Sequence, residues 1–292
     1  MPIHIDNKGV TLIELMIAMV IGSIIMASLI GIISSQRKGY ITQQARAEAE
    51  ESVSRVHGEL LDKIRMAGYM IPNTVLAITP YYSATGSDSI RVAGNYDKFA
   101  VTAGLTISAG ASYFFAYDSD DFKYTKGMKI MLVSPPDEFV DTFWAEVDTF
   151  YRFTIFTKKY LQINLKNIIP KTFPIGSRIS TFNHYTFRVA QTVSGGDTIK
   201  YFAVRPNNQT SLIRLVDGVD DIAISYETRT DTLKMNTFPA NSLEFVYAVN
   251  LDVQSRSRIK DRTYTDPIYN DHYRRSRLNT QIVILNLALD KR

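Results

Sequence analysis

Glu14 is the single ionisable side chain in VTLIELMIAMVIGSIIMASLIGII, residues 10–33. A carboxylate in a segment this apolar is costly unless it finds a partner, and such a group is by default functional. Just before the segment, a short polar leader ends in Lys8-Gly9. Cleavage between Gly9 and Val10 would turn the Val10 nitrogen into a cation one helical turn from Glu14. That amine could be met within one chain, or Glu14 could meet the amine of a neighbouring subunit. In the second arrangement, packing subunits in register satisfies the charge, and a membrane penalty becomes an assembly signal.

A second constellation lies near the C-terminus. Residues 254–279 carry Arg256, Arg258, Lys260, Arg262, Arg274, Arg275 and Arg277 against Asp261, Asp266 and Asp271, an excess equal to the +4 of the whole chain. Tyr264, Tyr269 and Tyr273 are interleaved. Cations with aromatics can grip a nucleic-acid strand through its phosphates and by stacking. The preferred reading is a solvated or subunit-facing loop between the last two strands, because such a charge density is ordinary for interaction surfaces.

Other site chemistry finds little support. His4, His57, His184 and His272 stand apart, with no H-x-x-x-H or H-E-x-x-H spacing, and the chain has no cysteine. Neither a metal nor another cofactor is expected. Asp118-Ser119-Asp120-Asp121 and the trio Asp217, Asp220 and Asp221 cluster oxygen ligands. They lack the glycine and distal glutamate of an EF-hand loop and are read as solvated turns. There is no G-x-S-x-G, phosphate-binding loop or dinucleotide fingerprint. The expectation is a structural, non-catalytic protein, and a hydrolase anchored by its N-terminus has no residue support.

Periodicity gives the elements that must position these groups. As a helix, residues 10–33 reach roughly 36 Å, enough to cross a hydrocarbon core of about 30 Å. A secretory signal has an apolar stretch of only about 7–15 residues, so this run is read as a spanning segment. Hydropathy alone would fit an ordinary signal anchor; Glu14 counts against that. Lys8 on one side and Arg37-Lys38 on the other leave the orientation undecided by charge. Farther on, Ala45, Ala49, Val53, Val56, Leu60, Ile64 and Ala67 recur every three or four residues as one helical stripe. Gly68 predicts the C-cap, and Pro72 prevents resumption. A continuous helix from Val10 to Ala67 would be roughly 87 Å long. Its amphipathic half needs something to cover the stripe.

Beyond residue 72, β-branched and aromatic runs alternate with turn signals. They predict strands at Ser89–Ala93, Tyr113–Tyr117, Lys129–Val133, Arg152–Thr157, Tyr185–Gln191, Ile199–Val204, Ile222–Tyr226, Leu243–Val253 and Thr280–Leu287. Ser194-Gly195-Gly196-Asp197 predicts a hairpin turn. With 292 residues, 45% hydrophobic and 21% charged, the chain can build a sizeable core. The expected fold class is α+β: a long N-terminal helix, with a membrane-spanning half and an amphipathic half, packed on an antiparallel β-sheet body. The boundaries are a leader over 1–9, a transmembrane helix over 10–33, its amphipathic continuation over 34–68, and a β-rich globular domain over 69–292.

Lys8-Gly9-Val10-Thr11-Leu12-Ile13-Glu14-Leu15 resembles the N-terminal signature of type IV prepilins and type II secretion pseudopilins. The common pattern is Lys or Arg and Gly, usually Phe or Met, then Thr-Leu-Ile-Glu. Val10 stands where Phe or Met is usual. The resemblance implies a prepilin peptidase that acts beside Lys8, cuts after Gly9 and methylates the Val10 amine. It also implies a subunit-docking role for Glu14, a cytoplasmic leader, and a C-terminal domain in the periplasm that later joins a pilus fibre or its tip.

Lys63–Tyr69, Leu215–Tyr226 and Arg274–Leu287 resemble, more loosely, segments of PilW-type minor pilins. Major pilins often carry a proline within the apolar segment; this chain has Gly22 and Gly31 there instead. The resemblance therefore implies a minor pilin that primes or caps a type IV pilus. Its partners would be other minor pilins, the major pilin, the prepilin peptidase, an inner-membrane assembly platform and membrane lipid. The alternatives are a minor pseudopilin of a type II secretion system, and a DNA- or surface-binding tip subunit using residues 254–279.

Overall fold

The predicted stripe is one face of a single helix, α1 (Leu12–Arg65), which passes through Gly22, Gly31, Gly39 and Gly58 without a break. The computed structural model describes residues 11–69, 77–83, 86–96, 100–118, 126–134, 142–155, 157–194, 197–207, 209–228 and 246–284. Every stripe residue from Ala45 to Ala67 is at most 3% exposed, whereas the helix up to Tyr40 is exposed throughout. Gly68 ends the helix with φ +79°, as its type predicts. Its N–H donates to Ala93 O (3.0 Å) rather than back to the last turn, so the cap ties the helix to a strand.

Fourteen strands follow among the described residues. They are β1 (Ile78–Tyr81), β2 (Ser89–Gly94), β3 (Ala100–Thr102), β4 (Tyr113–Tyr117), β5 (Lys129–Val133), β6 (Thr142–Ile155), β7 (Lys158–Leu165), β8 (Arg178–Thr181), β9 (Asn183–Ser194), β10 (Asp197–Pro206), β11 (Ile213–Asp217), β12 (Val219–Thr228), β13 (Val246–Lys260) and β14 (Tyr273–Val283). They form three sheets where one was expected, ordered β1-β2-β9-β10-β11, β12-β13-β14 and β3-β8-β5-β6-β7-β4.

The chain divides into two compact units, one holding the helix up to Glu48 with Ser257–Arg274, the other Ala49–Arg256 with the remainder of the C-terminus. In the larger unit, the helical stripe from Val53 to Ala67 shares one core with the five- and three-stranded sheets. Ile90, Val92, Phe187 and Phe202 come from the first sheet, and Ile222, Ile224, Leu251, Val253 and Ile282 from the second. This cover answers the amphipathic half of the helix: burying a Leu or Ile side chain is worth about 1.5–3 kcal/mol.

The six-stranded sheet has a core of its own, including Phe114, Ile130, Leu132, Leu161, Ile163, Phe173 and Ile179, to which the helix contributes nothing. Its edge strands meet through the bridge Ala103↔Ala116 and a bond from Gly104 N–H to Phe115 O (2.9 Å), so the sheet closes on itself. All six strands lie in sequence between β2 and β9, which pair directly (Ser89↔Arg188 to Gly94↔Asn183). The closed sheet is thus an insertion into the hairpin-like pair that faces the helix.

Leu215–Tyr226 spans the crossing from β11 to β12 at Gly218. Gly218 has φ +76°, and an added Cβ would lie 2.5 Å from Arg256 O. Its N–H donates to Lys200 O (3.0 Å) and its O accepts from Arg256 N–H (2.7 Å), so the turn touches both sheets. Ser194 of β9 pairs with Asp197 of β10, the two flanks of the predicted turn; Gly195 and Gly196 lie outside the described residues. Of the predicted strand at Arg152–Thr157, Arg152–Ile155 is the end of a longer one that begins at Thr142, Phe156 lies outside the described residues and Thr157 is in a turn. Residues 243–245 and 285–287 of the last two predicted strands lie outside the described residues. Residues 254–279 are not one loop: 254–260 belong to β13 and 273–279 to β14, leaving 261–272 between them.

Candidate functional site

At the start of α1, Glu14 is held by Thr11. The Thr11 N–H and hydroxyl both donate to Glu14 Oε2 (2.9 and 3.0 Å), and the Glu14 N–H donates to Thr11 Oγ1 (3.4 Å). This is a capping box, in which an N-cap Ser or Thr and a Glu or Gln three residues on satisfy each other's backbone donors. Glu14 is thus a capping residue as well as a charge that an amine could meet, a role signalled by the T-x-x-E spacing of Thr11-Leu12-Ile13-Glu14. Placing an acid in the first turn also suits the positive end of the helix dipole. Lys8, Gly9 and Val10 lie outside the described residues.

Beyond Glu14 the helix is an aliphatic sleeve. The hydroxyls of Ser23 and Ser28 donate back to Val20 O (2.8 Å) and Ile24 O (2.9 Å), which leaves no hydroxyl donor of that stretch facing outward. Mean hydropathy reaches 2.6 over an 18-residue window, and none of that window is buried by the rest of the chain. By length and composition α1 is able to cross a membrane.

Residues 6–30 match the family model described as the prokaryotic N-terminal methylation motif. The motif thus covers Lys8, Gly9, Val10 and Glu14 and continues into the sleeve. No curated protein matches the chain. Among solved structures, the chain is similar to a type IV-like pilin from Thermus thermophilus, with 10% identity, 82% of this chain and 96% of that one covered, and a TM-score of 0.39.

The basic segment is divided between the two units. In the larger, Asp220 faces Arg256 (3.3 Å) and Arg275 (2.9 Å), and Arg256 also donates to Thr198 O (2.7 Å). Arg277 pairs with Asp252 across β13 and β14. In the smaller unit, Arg274 binds Asp261 through Nε and Nη2 (both 3.0 Å) and lies 3.8 Å over the Tyr264 ring. Lys260 lies 5.6 Å over Tyr273. Arg258, Lys260 and Arg262 are exposed. Most of the arginines that the alternative nucleic-acid reading would direct at phosphate are therefore engaged with carboxylates of the same chain.

Asp261 is the hub of this hairpin. Its Oδ2 accepts from the Thr42 hydroxyl of α1 (3.0 Å) as well as from Arg274, and its Oδ1 accepts from Thr263 N–H (3.1 Å) and Thr263 Oγ1 (2.6 Å). Burial opposes its ionisation. The bonds from Thr263, Arg274 and Thr42 outweigh that and hold its pKa down at about 2. Asp266 fixes the tip, accepting from the backbone of Ile268 (2.9 Å) and Tyr269 (3.1 Å), with Asn270 at φ 51° closing the turn.

The other titratable groups serve the fold. The acids read as solvated turns are engaged by the chain itself: Asp118 with Arg152 (3.0 Å), Asp217 with Arg214, and Asp221 with the Ser87 hydroxyl (2.7 Å). Ser119, Asp120 and Asp121 lie outside the described residues. His184 is held neutral, its pKa lowered to about 4 by burial and by Arg91, Lys129 and Arg205. Among the described residues, no group of three His, Asp or Glu side chains is placed to hold a metal.

Proposed function

We propose that this chain is a minor pilin, PilW-like, that primes or caps a type IV pilus. It is inserted in the inner membrane through α1, with its β-rich body in the periplasm. The prepilin peptidase cuts between Gly9 and Val10 and methylates the new amine. The sleeve of α1 then moves from lipid to the filament core on the assembly platform, beside other minor pilins and the major pilin. Glu14 docks against the amine of a neighbouring subunit.

One observation carries this reading: the methylation motif runs unbroken into an exposed aliphatic helix whose first turn holds the only carboxylate of the sleeve. Oε2 is occupied by Thr11, which fixes the direction in which the remaining oxygen is offered. The internal pairing of Arg256, Arg274, Arg275 and Arg277 argues against a nucleic-acid strand as the partner of the basic segment. The test is quantitative mass spectrometry of filaments sheared from cells. The processed chain is expected there at low stoichiometry relative to the major subunit. A processed chain absent from surface filaments and retained with a secretion machine would instead support the pseudopilin reading.

A further inference from the structure

We infer that the tip of the β13–β14 hairpin is a lipid-contacting loop, resting on the membrane surface beside the base of α1. The inference builds on the membrane-anchored state proposed above. The hairpin descends the helix toward its apolar run: the Arg258 N–H donates to Glu48 (3.2 Å), and three residues later Asp261 is bound by Thr42 (3.0 Å). It then continues past its contact with the helix. Asp261 N–H bonds His272 O (2.7 Å), Asp266 N–H bonds Asp271 O (2.7 Å), and the chain reverses over Asp266–Asn270. From Thr42 to the last apolar residue, Ile33, the helix rises about 13–14 Å. Beyond Asp261 the chain turns, with Tyr264 N–H on Asp261 O (2.9 Å), so the tip is placed for the headgroup level beside Lys38, about 6 Å of helix rise below Thr42, rather than for the hydrocarbon beyond Ile33.

What the tip presents is unusual for a water-exposed turn. Ile268 is 82% exposed and Tyr269 47%, next to exposed Pro267. Their backbone is fixed by Asp266, so the apolar side chains are held outward rather than left to collapse. Around them the exposed charge is positive: Arg258 and Arg262 on the hairpin and Arg37 and Lys38 on the helix. The hairpin's acids are turned inward, Asp261 to Arg274, Asp266 to backbone amides, and Asp271 to Tyr273 N–H (3.2 Å). Tyr40, 67% exposed on the helix, adds an aromatic ring between the span and the hairpin. An aliphatic and aromatic tip ringed by Lys and Arg matches the interface of a bilayer. There, tyrosine sits at headgroup level, and each nearby cation adds about 1 kcal/mol against anionic lipid.

The absence of cysteine allows a direct test. The full chain bearing Ile268→Cys, or Met19→Cys on the sleeve, carries a nitroxide label in vesicles of phosphatidylethanolamine and phosphatidylglycerol. Collisional relaxation is then compared for oxygen, which concentrates in lipid, and a water-soluble nickel chelate. Both labels are expected to favour oxygen. Oxygen preference at position 19 with nickel preference at position 268 overturns the inference alone. Nickel preference at both positions overturns the anchored state with it. A label at 268 shielded from both reagents marks a protein contact, such as a second copy, and also overturns it.

Discussion

Two substitutions at the start of α1 separate the charge of Glu14 from its capping role. In the Glu14→Gln variant, the amide oxygen can take the place of Oε2, accepting from Thr11 N–H and Oγ1 at the present 2.9 and 3.0 Å. Glutamine serves as well as glutamate in a capping box, so the helix start is retained and only the charge is lost. The Thr11→Val variant does the reverse. It removes the hydroxyl that both donates to Glu14 and accepts from its N–H, at a cost of about 1 kcal/mol to the first turn, and leaves the charge in place.

The cap lies within one chain, so under the proposed function its loss would largely cancel in the transfer from membrane to filament. Under the proposed docking the charge does not cancel, because only the filament would offer a neighbouring amine. A carboxylate at a helix centre costs roughly 2.5–3.5 kcal/mol to place in lipid, and even half of that corresponds to about a tenfold change in partition. The Glu14→Gln variant should therefore enter filaments at least about tenfold less than wild type, and Thr11→Val less than about threefold less. The assay is the ratio of filament-borne to membrane-borne subunit by quantitative mass spectrometry, with membrane levels equal. Equal defects in the two variants would mean that Glu14 acts through the cap. Wild-type incorporation of Glu14→Gln would remove the docking role.

Three further outcomes follow from the body of the protein. Asp220→Ala removes the carboxylate shared by Arg256 and Arg275, the latter like Asp220 only 9% exposed, and should destabilise the full chain by about 3 kcal/mol in detergent-solubilised denaturation. Gly218→Ala should cost at least about 2 kcal/mol, from the positive φ and the Arg256 carbonyl in its way. Gly110→Ala, at φ +85° in open space, should cost about 1 kcal/mol; equal midpoints for the two would refute the close-approach explanation. Because Asp261 is held at about pKa 2, below its ordinary 3.8, its stabilisation of the hairpin is complete above about pH 5 and disappears as pH falls from about 4 through 2. Hydrogen exchange of the hairpin amides over that range should show the loss in wild type and a flat profile in Asp261→Asn.

Local pattern made the helix legible: the stripe from Ala45 to Ala67 is buried as its spacing requires, and Gly68 adopts the positive φ of a C-cap. The strands at Tyr113–Tyr117 and Lys129–Val133 fall where alternation places them. The division into three sheets was not legible, because β2 and β9 pair across nearly ninety intervening residues and alternation says nothing about partners. Short strands such as β3 and β8 carry too few residues to show a period, and Lys158-Lys159 hides the start of β7. The basic segment looked like one loop because arginines are not strand signals. Their carboxylate partners, Asp220 and Asp252, are remote in sequence or on the strand before. The Thr11–Glu14 box is readable from its T-x-x-E spacing, whereas the apolar context of Glu14 points to a charge partner instead.

The mature N-terminus tests the central claim most directly. Protein isolated from cells that contain a working prepilin peptidase should yield a terminal peptide beginning with N-methylated Val10, with Lys8-Gly9 gone. A chain that still begins at Met1 under those conditions would deny Glu14 its amine and contradict the assembly account.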